Sequence, residues 1–351
     1  MKERLLGKVV IGNIVQLQKS FEEFSEVNVD LTLQHEEVLE YSHSNLKTIA
    51  ESVELSSEGT FDKRYIRKIK FSPYDKQGWW IKRTDLEGEP VKISLRNSYP
   101  IHEGGVNHIA IRRTGEKNNY FRLTEHIIAI RLGLDIDNLL ITVDSDDPPL
   151  FEHGSTQIVD ALEKVEKIRT KIPCRYFTVR ETVSSVWSNG GFLIFAPNDE
   201  ESLALKIDCA INFSDAIGKQ RICFTVDEES LKMGAGARTN CSLKHAIFCK
   251  TIGRFLSRTR YLGYNKNNIL VAGSKKYFNR ARLKYRGKSL EAVWHRAALD
   301  LLAAISLIDE GRFVGDVISY KSTHKLDLEF LKELYRKDLI VEITKPLNEP
   351  N

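Results

Sequence analysis

Glu125-His126 sets a carboxylate beside a histidine, directly after Thr124 and at the start of an apolar, helix-periodic run. Such a pair can supply a general base and a metal ligand. A zinc-bound water has its pKa lowered toward about 7, and an adjacent carboxylate can take its proton. The same two residues also suit a solvated first helical turn, where Glu favours the positive end of the helix dipole. A second candidate is Trp294-His295-Arg296-Ala297-Ala298-Leu299-Asp300, in a strongly helical stretch. A His and an Asp share a metal from one helix most readily at a spacing of four. Here it is five, which puts the side chains about 140° apart on a regular helix. A π-bulge would absorb the extra residue; without one, the segment reads as a core helix with an ordinary exposed Asp. Glu291, four residues before His295, is a competing carboxylate.

Three further stretches could take part. In Gly234-Ala235-Gly236-Ala237-Arg238-Thr239-Asn240, a small-residue loop before a helix, Thr239 could donate a hydrogen bond to a developing oxyanion. The segment has no Gly-Lys-Ser/Thr closure and is no phosphate loop. In Tyr320-Lys321-Ser322-Thr323-His324, the histidine could protonate a leaving amine. Lys275 to Lys288 holds seven Lys and Arg with Tyr277, Phe278 and Tyr285 interleaved and no acid. It is the most nucleic-acid-like feature of the chain, and could equally hold a nucleotide diphosphate or an anionic head group, or stand as a solvated basic loop.

These residues need elements to hold them. Alternation predicts strands over Lys8–Leu17, Trp79–Thr84, Val91–Leu95 and Asn138–Asp144. Thr124 is placed to cap a helix that Gly133 stops, and Ser155 to cap another through Val165. The charged run Lys164–Lys171 before Pro173 predicts a domain boundary. Beyond it, strands are expected near Tyr176–Ser184, Gly191–Ala196, Leu203–Ile211 and Arg221–Val226. Helix Leu243 to about Tyr261, strand Asn268–Ala272, helix Leu290–Ile308, strand Phe313–Tyr320 and helix Leu326–Arg336 follow. The expected class is α+β: an N-terminal extension (1–44), then two similar domains (45–170 and 171–351) facing each other across one site.

The chain has 351 residues, enough for two domains, and its 42% apolar and 28% charged content is that of a globular protein. A net charge of +4 does not by itself argue for nucleic acid and suits a phosphate-bearing small substrate. The longest apolar runs fall short of a membrane span, and Glu3 and Lys8 interrupt any signal-peptide core, so a cytoplasmic protein is expected. Cys174, Cys209, Cys223, Cys241 and Cys249 show no C-x-x-C spacing and read as free thiols.

Taken in order, Leu46 to Leu339 resembles the UDP-3-O-acyl-N-acetylglucosamine deacetylases. The resemblance is carried by Thr124-Glu125-His126-Ile127-Ile128, Gly133-Leu134-Asp135-Ile136-Asp137-Asn138, Pro149…Gly154-Ser155, Ala216–Arg221, Ala237-Arg238-Thr239, Gly315 and Tyr320-Lys321-Ser322-Thr323-His324. It implies two α+β sandwiches with zinc between them, bound by His126, His295 and Asp300. It implies that Glu125 activates water, Thr239 helps hold the oxyanion and His324 acts as an electrostatic or acid partner. Arg296, Lys321 and Asn240 are the implied substrate-binding positions, for a nucleotide-linked N-acetyl amino sugar. The chain departs from the family at Asn240-Cys241 (Phe-Gly), His153 (Asp), Ser214-Asp215 (His-Pro), Ala304 (Asp), Glu54-Leu55-Ser56 (Gly-Leu-His) and the extra residue before Asp300. These departures leave two other functions open: cleavage of a different amide, or a degenerate homologue binding a sugar nucleotide or nucleic acid through its basic loop.

Overall fold

The computed structural model describes residues 6–34, 45–103, 106–116, 119–197, 203–251 and 262–343. It is a mixed α/β structure whose two largest sheets have five and seven strands. In the five-stranded sheet the order is Val53–Glu58, Ile66–Ser72, Leu139–Val143, Trp79–Arg83, Val91–Lys92. Leu139–Val143 runs parallel to Trp79–Arg83 and antiparallel to Ile66–Ser72, with Ile141 opposite both Ile81 and Phe71. Leu139, Ile141 and Val143 point into the core on the period-two spacing that predicted the strand.

The seven-stranded sheet has the order Lys8–Ile11, Val183–Val186, Phe192–Ala196, Gly315–Tyr320, Leu205–Asn212, Lys219–Thr225, Leu31–Leu33. Both edges are thus residues from before position 45, each pairing in parallel with its neighbour. Phe192–Phe195 is buried on both faces. Leu193 and Phe195 join the main core, while Phe192 and Ile194 join a smaller cluster under helix Ile14–Ser25, with Leu17, Phe24 and Tyr320. Lys8–Leu17 is therefore not one strand. The chain turns at Gly12 (φ +85), the Asn13 side chain accepts from the Gln16 amide at 2.9 Å, and a helix begins at Ile14. Leu17, Ser20 and Phe24 then recur at helical spacing on the buried face. The acidic run Glu36–Glu40 lies outside the described residues.

Lys167–Pro173, within the charged run, is a strand antiparallel to Asn45–Ile49. Helix Leu243–Lys250 is described; the rest of the expected helix, 252–261, lies outside the described residues. The Gly234–Asn240 stretch is not a loose connector. Gly234 and Ala235 end helix Glu228–Ala235, which opens on an Asp227–Ser230 capping box, and Thr239–Ser242 is a strand parallel to Ile269–Ala272. The element on which the candidate site turns is the helical run Glu291–Ser306, buried at every position. Helix Glu228–Ala235 packs on its middle, and helix Glu125–Ile128 on its last turns.

Candidate active site

The Glu125 helix is short, and it is held from outside. Thr124 does not cap it: its hydroxyl donates to the Ile109 carbonyl at 3.1 Å. The Ile109 amide in turn donates to Glu125 Oε2 at 3.2 Å, so strand Val106–Arg112 fixes the carboxylate. Ser155 likewise does not cap the helix that follows it. Its hydroxyl donates to the His126 carbonyl at 2.7 Å while its amide donates to Ala235. Gly133 is the last helical residue and has no positive φ. It is small because a Cβ there would sit 2.6 Å from the Leu231 side chain.

The extra residue between His295 and Asp300 is taken up by a π-helical segment, His295–Leu301. Winding with i→i+5 hydrogen bonds returns residue 300 over residue 295, and His295 Nδ1 lies 3.3 Å from Asp300 Oδ2. Glu291 does not compete for a ligand role. It is fully buried, paired through both oxygens with the Arg238 guanidinium, and accepts the Arg282 amide at 2.7 Å.

The site residues from both halves of the chain converge. His126 Nε2 faces His295 Nε2 at 3.1 Å, and Thr239 Oγ1 is 3.0 Å from the same His295 nitrogen. His324 Nε2 stands 3.6 Å from Asp300 Oδ1 and 3.9 Å from Glu125 Oε1. Burial, then the neighbouring His295, push His126 down to about 3, so its imidazole is neutral with a lone pair to offer. Burial, then the Asp300 charge, push Glu125 up to about 8. Burial works against the Asp300 carboxylate, but His295, His324 and Arg296 outweigh it and hold that group well below the usual carboxylate range. His324 is lowered chiefly by burial.

Among the described residues no group of three or more His, Cys, Asp or Glu side chains is assembled, as it stands, to hold a metal ion. The reason is visible in the pairings: the two histidines meet through Nε2, whereas Asp300 lies against the other nitrogen of His295. The donor set nevertheless fits zinc. Two nitrogens on one tetrahedral ion with Zn–N bonds of about 2.0–2.1 Å are separated by roughly 3.3 Å, close to the His126–His295 spacing. Asp300 Oδ1 is buried and accepts no hydrogen bond, which leaves an ionised oxygen without a donor.

The implied substrate positions are mixed. Asn240 lies on the strand beside Thr239, opposite Leu270, and lines the cleft. Lys321, with φ +47, lines it too, but its ammonium pairs with Glu23 of the N-terminal helix at 3.1 Å. Arg296 is buried, and its Nη2 donates to both oxygens of Asp327 and to Ser322 Oγ, each at 2.6 Å. Asp327 was not singled out in the sequence, nor was Arg131, whose buried guanidinium donates to the Ser306, Ile308 and Gly311 carbonyls at the end of the site helix. Nothing local marks either residue. Tyr264 was also missed; it borders the cleft, where burial and then the Glu125 and Asp147 carboxylates raise its phenol.

The cleft over these groups measures ≈ 1940 Å³. Its apolar walls include Ile101, Leu123, Leu150, Ile269 and Val271. Apart from Glu125 and Asp300, the charged Asp, Glu, Lys and Arg side chains among its described lining residues are all basic: Lys63, Lys250, Lys266, Lys321 and Lys325, with buried Arg238 and Arg296. An apolar space with a cationic rim suits a ligand with both an apolar part and negative charge.

Comparison with other proteins places the chain in a family. Residues 46–336 match the family model described as UDP-3-O-acyl N-acetylglycosamine deacetylase. Proteins named UDP-3-O-acyl-N-acetylglucosamine deacetylase from Brucella ovis, Brucella canis and Brucella suis are each 26% identical over 222 residues, spanning 62% of this chain and 72% of theirs. The match takes in both parts of the site, from Glu125 and His126 through His295 and Asp300 to His324, and the chain belongs to the UDP-3-O-acyl N-acetylglycosamine deacetylase family.

Proposed function

We propose that this protein is a zinc-dependent hydrolase that removes the N-acetyl group from a nucleotide-linked, acylated amino sugar. The observation that carries the reading is the convergence of Glu125 and His126 with His295, Asp300 and His324 beneath one apolar, cationic-rimmed cleft. His126, His295 and Asp300 would hold the ion, two neutral nitrogens and one carboxylate. When bound, zinc lowers the pKa of a water and polarises the amide carbonyl. Residues 45–170 and 171–351 are read as two α+β domains, each contributing to the site.

The side chains then divide the work. In its ionised form Glu125, fixed by the Ile109 amide, takes the proton of the attacking water, and its raised pKa makes that carboxylate the stronger base. Thr239 turns its hydroxyl from His295 Nε2 toward the oxyanion that forms at the acetyl carbonyl. Loss of one such donor costs about 10²–10³ in turnover. His324, facing both Asp300 and Glu125, supports the developing charge, and the proton that Glu125 has taken passes to the departing amine. Arg296 is committed to Asp327 and Ser322, so its role is to brace the loop before His324 more than to grip a phosphate. The exposed lysines of the rim are better placed for that.

The test is acetate release from UDP-3-O-acyl-N-acetylglucosamine. Wild type should turn over, and Glu125→Ala should keep the fold and lose activity. Full activity in Glu125→Ala would sink the mechanism. A second substrate reading rests on Asn240, which puts a polar side chain where the family carries an aromatic one. A panel in which simpler N-acyl sugars outcompete the nucleotide-linked one would favour it.

A further inference from the structure

Between Glu229 and Glu291 the chain has no acidic residue and fifteen Lys and Arg. Since the whole chain is +4, the rest of it is net acidic, and the positive charge is gathered on one stretch. The described parts of that stretch form much of the cleft rim. Helix Leu243–Lys250 carries Lys244, Ile247 and Phe248 at i, i+3 and i+4, one exposed face, with Lys250 beyond them. Ile247 is 53% and Phe248 47% exposed. After strand Ile269–Ala272 the chain presents Phe278, 56% exposed, between Lys275-Lys276 and Arg280, all three also exposed. Ile247 and Phe278 line the same cleft, as does the exposed Phe213.

Single exposed apolar residues are ordinary on a protein surface. Several at one opening, set among cations and continuous with an apolar cleft, mark a surface that meets another phase or partner. We propose that this rim docks on an anionic lipid surface. Lys244, Lys250, Lys275, Lys276 and Arg280 lie against head-group phosphates, Ile247, Phe248 and Phe278 enter the acyl boundary, and the cleft opens toward the interface. Single-stranded nucleic acid would use the same cations and stack on Phe213, Phe248 and Phe278, but it gains nothing from aliphatic surface. The aliphatic Ile247 and a cleft wall of Ile, Leu and Val match hydrocarbon instead. Each basic residue brought near such a surface strengthens binding about fivefold.

The docking is read without turnover, so it stands or falls apart from the deacetylase reading. The full chain is floated with vesicles of phosphatidylcholine alone or mixed with phosphatidylglycerol. The protein should rise with the mixed vesicles only, and leave them as salt goes from about 0.1 M to about 1 M, where screening shortens from about 10 Å to about 3 Å. The triple variant Ile247→Ser, Phe248→Ser, Phe278→Ser should bind at least tenfold more weakly with its circular dichroism unchanged. Should that variant misfold, Lys275→Glu, Lys276→Glu, Arg280→Glu on the exposed loop gives the same reading. No dependence on phosphatidylglycerol, wild-type binding by a folded variant, or displacement of the vesicles by a single-stranded oligonucleotide would overturn the proposal.

Discussion

Gly234 lies where helix Glu228–Ala235 crosses the π-helical segment that carries His295 and Asp300. A Cβ at Gly234 would sit 2.4 Å from the Ala298 Cβ and 3.0 Å from Trp294 Cε3. Neither partner can rotate away. Ala298 has only its Cβ, and Trp294 is 2% exposed and packed at a 41° tilt against Phe224 with ring centroids 5.1 Å apart. Ordinary contact would require the two helices to part by roughly 1 Å, in an interior packed as densely as a molecular crystal. Overpacking of this kind costs about 1–3 kcal/mol. Because the strain falls between His295 and Asp300, turnover of Gly234→Ala should drop about 10²-fold, the usual effect of a 1 Å misplacement, with KM little changed. Gly236→Ala, two residues on, is the control. Its Cβ would meet only Thr156 Oγ1 at 3.4 Å, and its φ is an ordinary −81°. That substitution should be neutral or stabilise by about 0.4–1 kcal/mol through the unfolded chain. Urea unfolding and steady-state kinetics on both variants decide it. If Gly234→Ala is as stable and as active as Gly236→Ala, these helices do not jointly set the donor geometry.

Other consequences follow from particular contacts. Glu291→Gln leaves the Arg238 guanidinium buried without its counter-charge and should cost about 3–5 kcal/mol by urea unfolding; restoration of stability in Arg238→Met/Glu291→Leu would show the loss is electrostatic. Phe24→Ala removes the ring that seals the outer face of the seven-stranded sheet against Phe192 and Tyr320 and should cost about 3–5 kcal/mol, so residues before 45 are integral to stability. Ser155→Ala loses the bond to the His126 carbonyl and should cost about 1 kcal/mol. Burial pushes the Cys209 thiol up to about 12, so iodoacetamide at pH 8 should label Cys209 only after unfolding, as mapped by mass spectrometry.

Much of the frame was legible because it rests on local periodicity. Leu139–Val143 and Trp79–Arg83 alternate as strands must, and the apolar run from Leu290 has no polar face to turn to water. The spacing of His295 and Asp300 was itself informative: five residues cannot share a face on an α-helix, and the structure meets that demand with i→i+5 winding. What escaped were the long-range partners. Thr124 and Ser155 look like caps because Ser and Thr usually bond the local backbone. Here the Ile109 and His126 carbonyls, brought in by tertiary packing, are the acceptors. Glu291 could not be told from a metal ligand until Arg238, far away in sequence, was seen to occupy it. Lys8–Leu17 reads as one strand because Val9, Ile11 and Val15 alternate, but the Gly12-Asn13 pair within it breaks the strand and starts a helix.

His126, His295 and Asp300 are proposed as the ligands of one zinc ion. Elemental analysis of the purified protein and its variants tests this most directly. Stoichiometric zinc in wild type and in Glu125→Ala, with its loss from His126→Ala and Asp300→Ala at unchanged circular dichroism, is the predicted result. Zinc retained in folded His126→Ala, or acetate release by a wild-type protein stripped of metal, would contradict it.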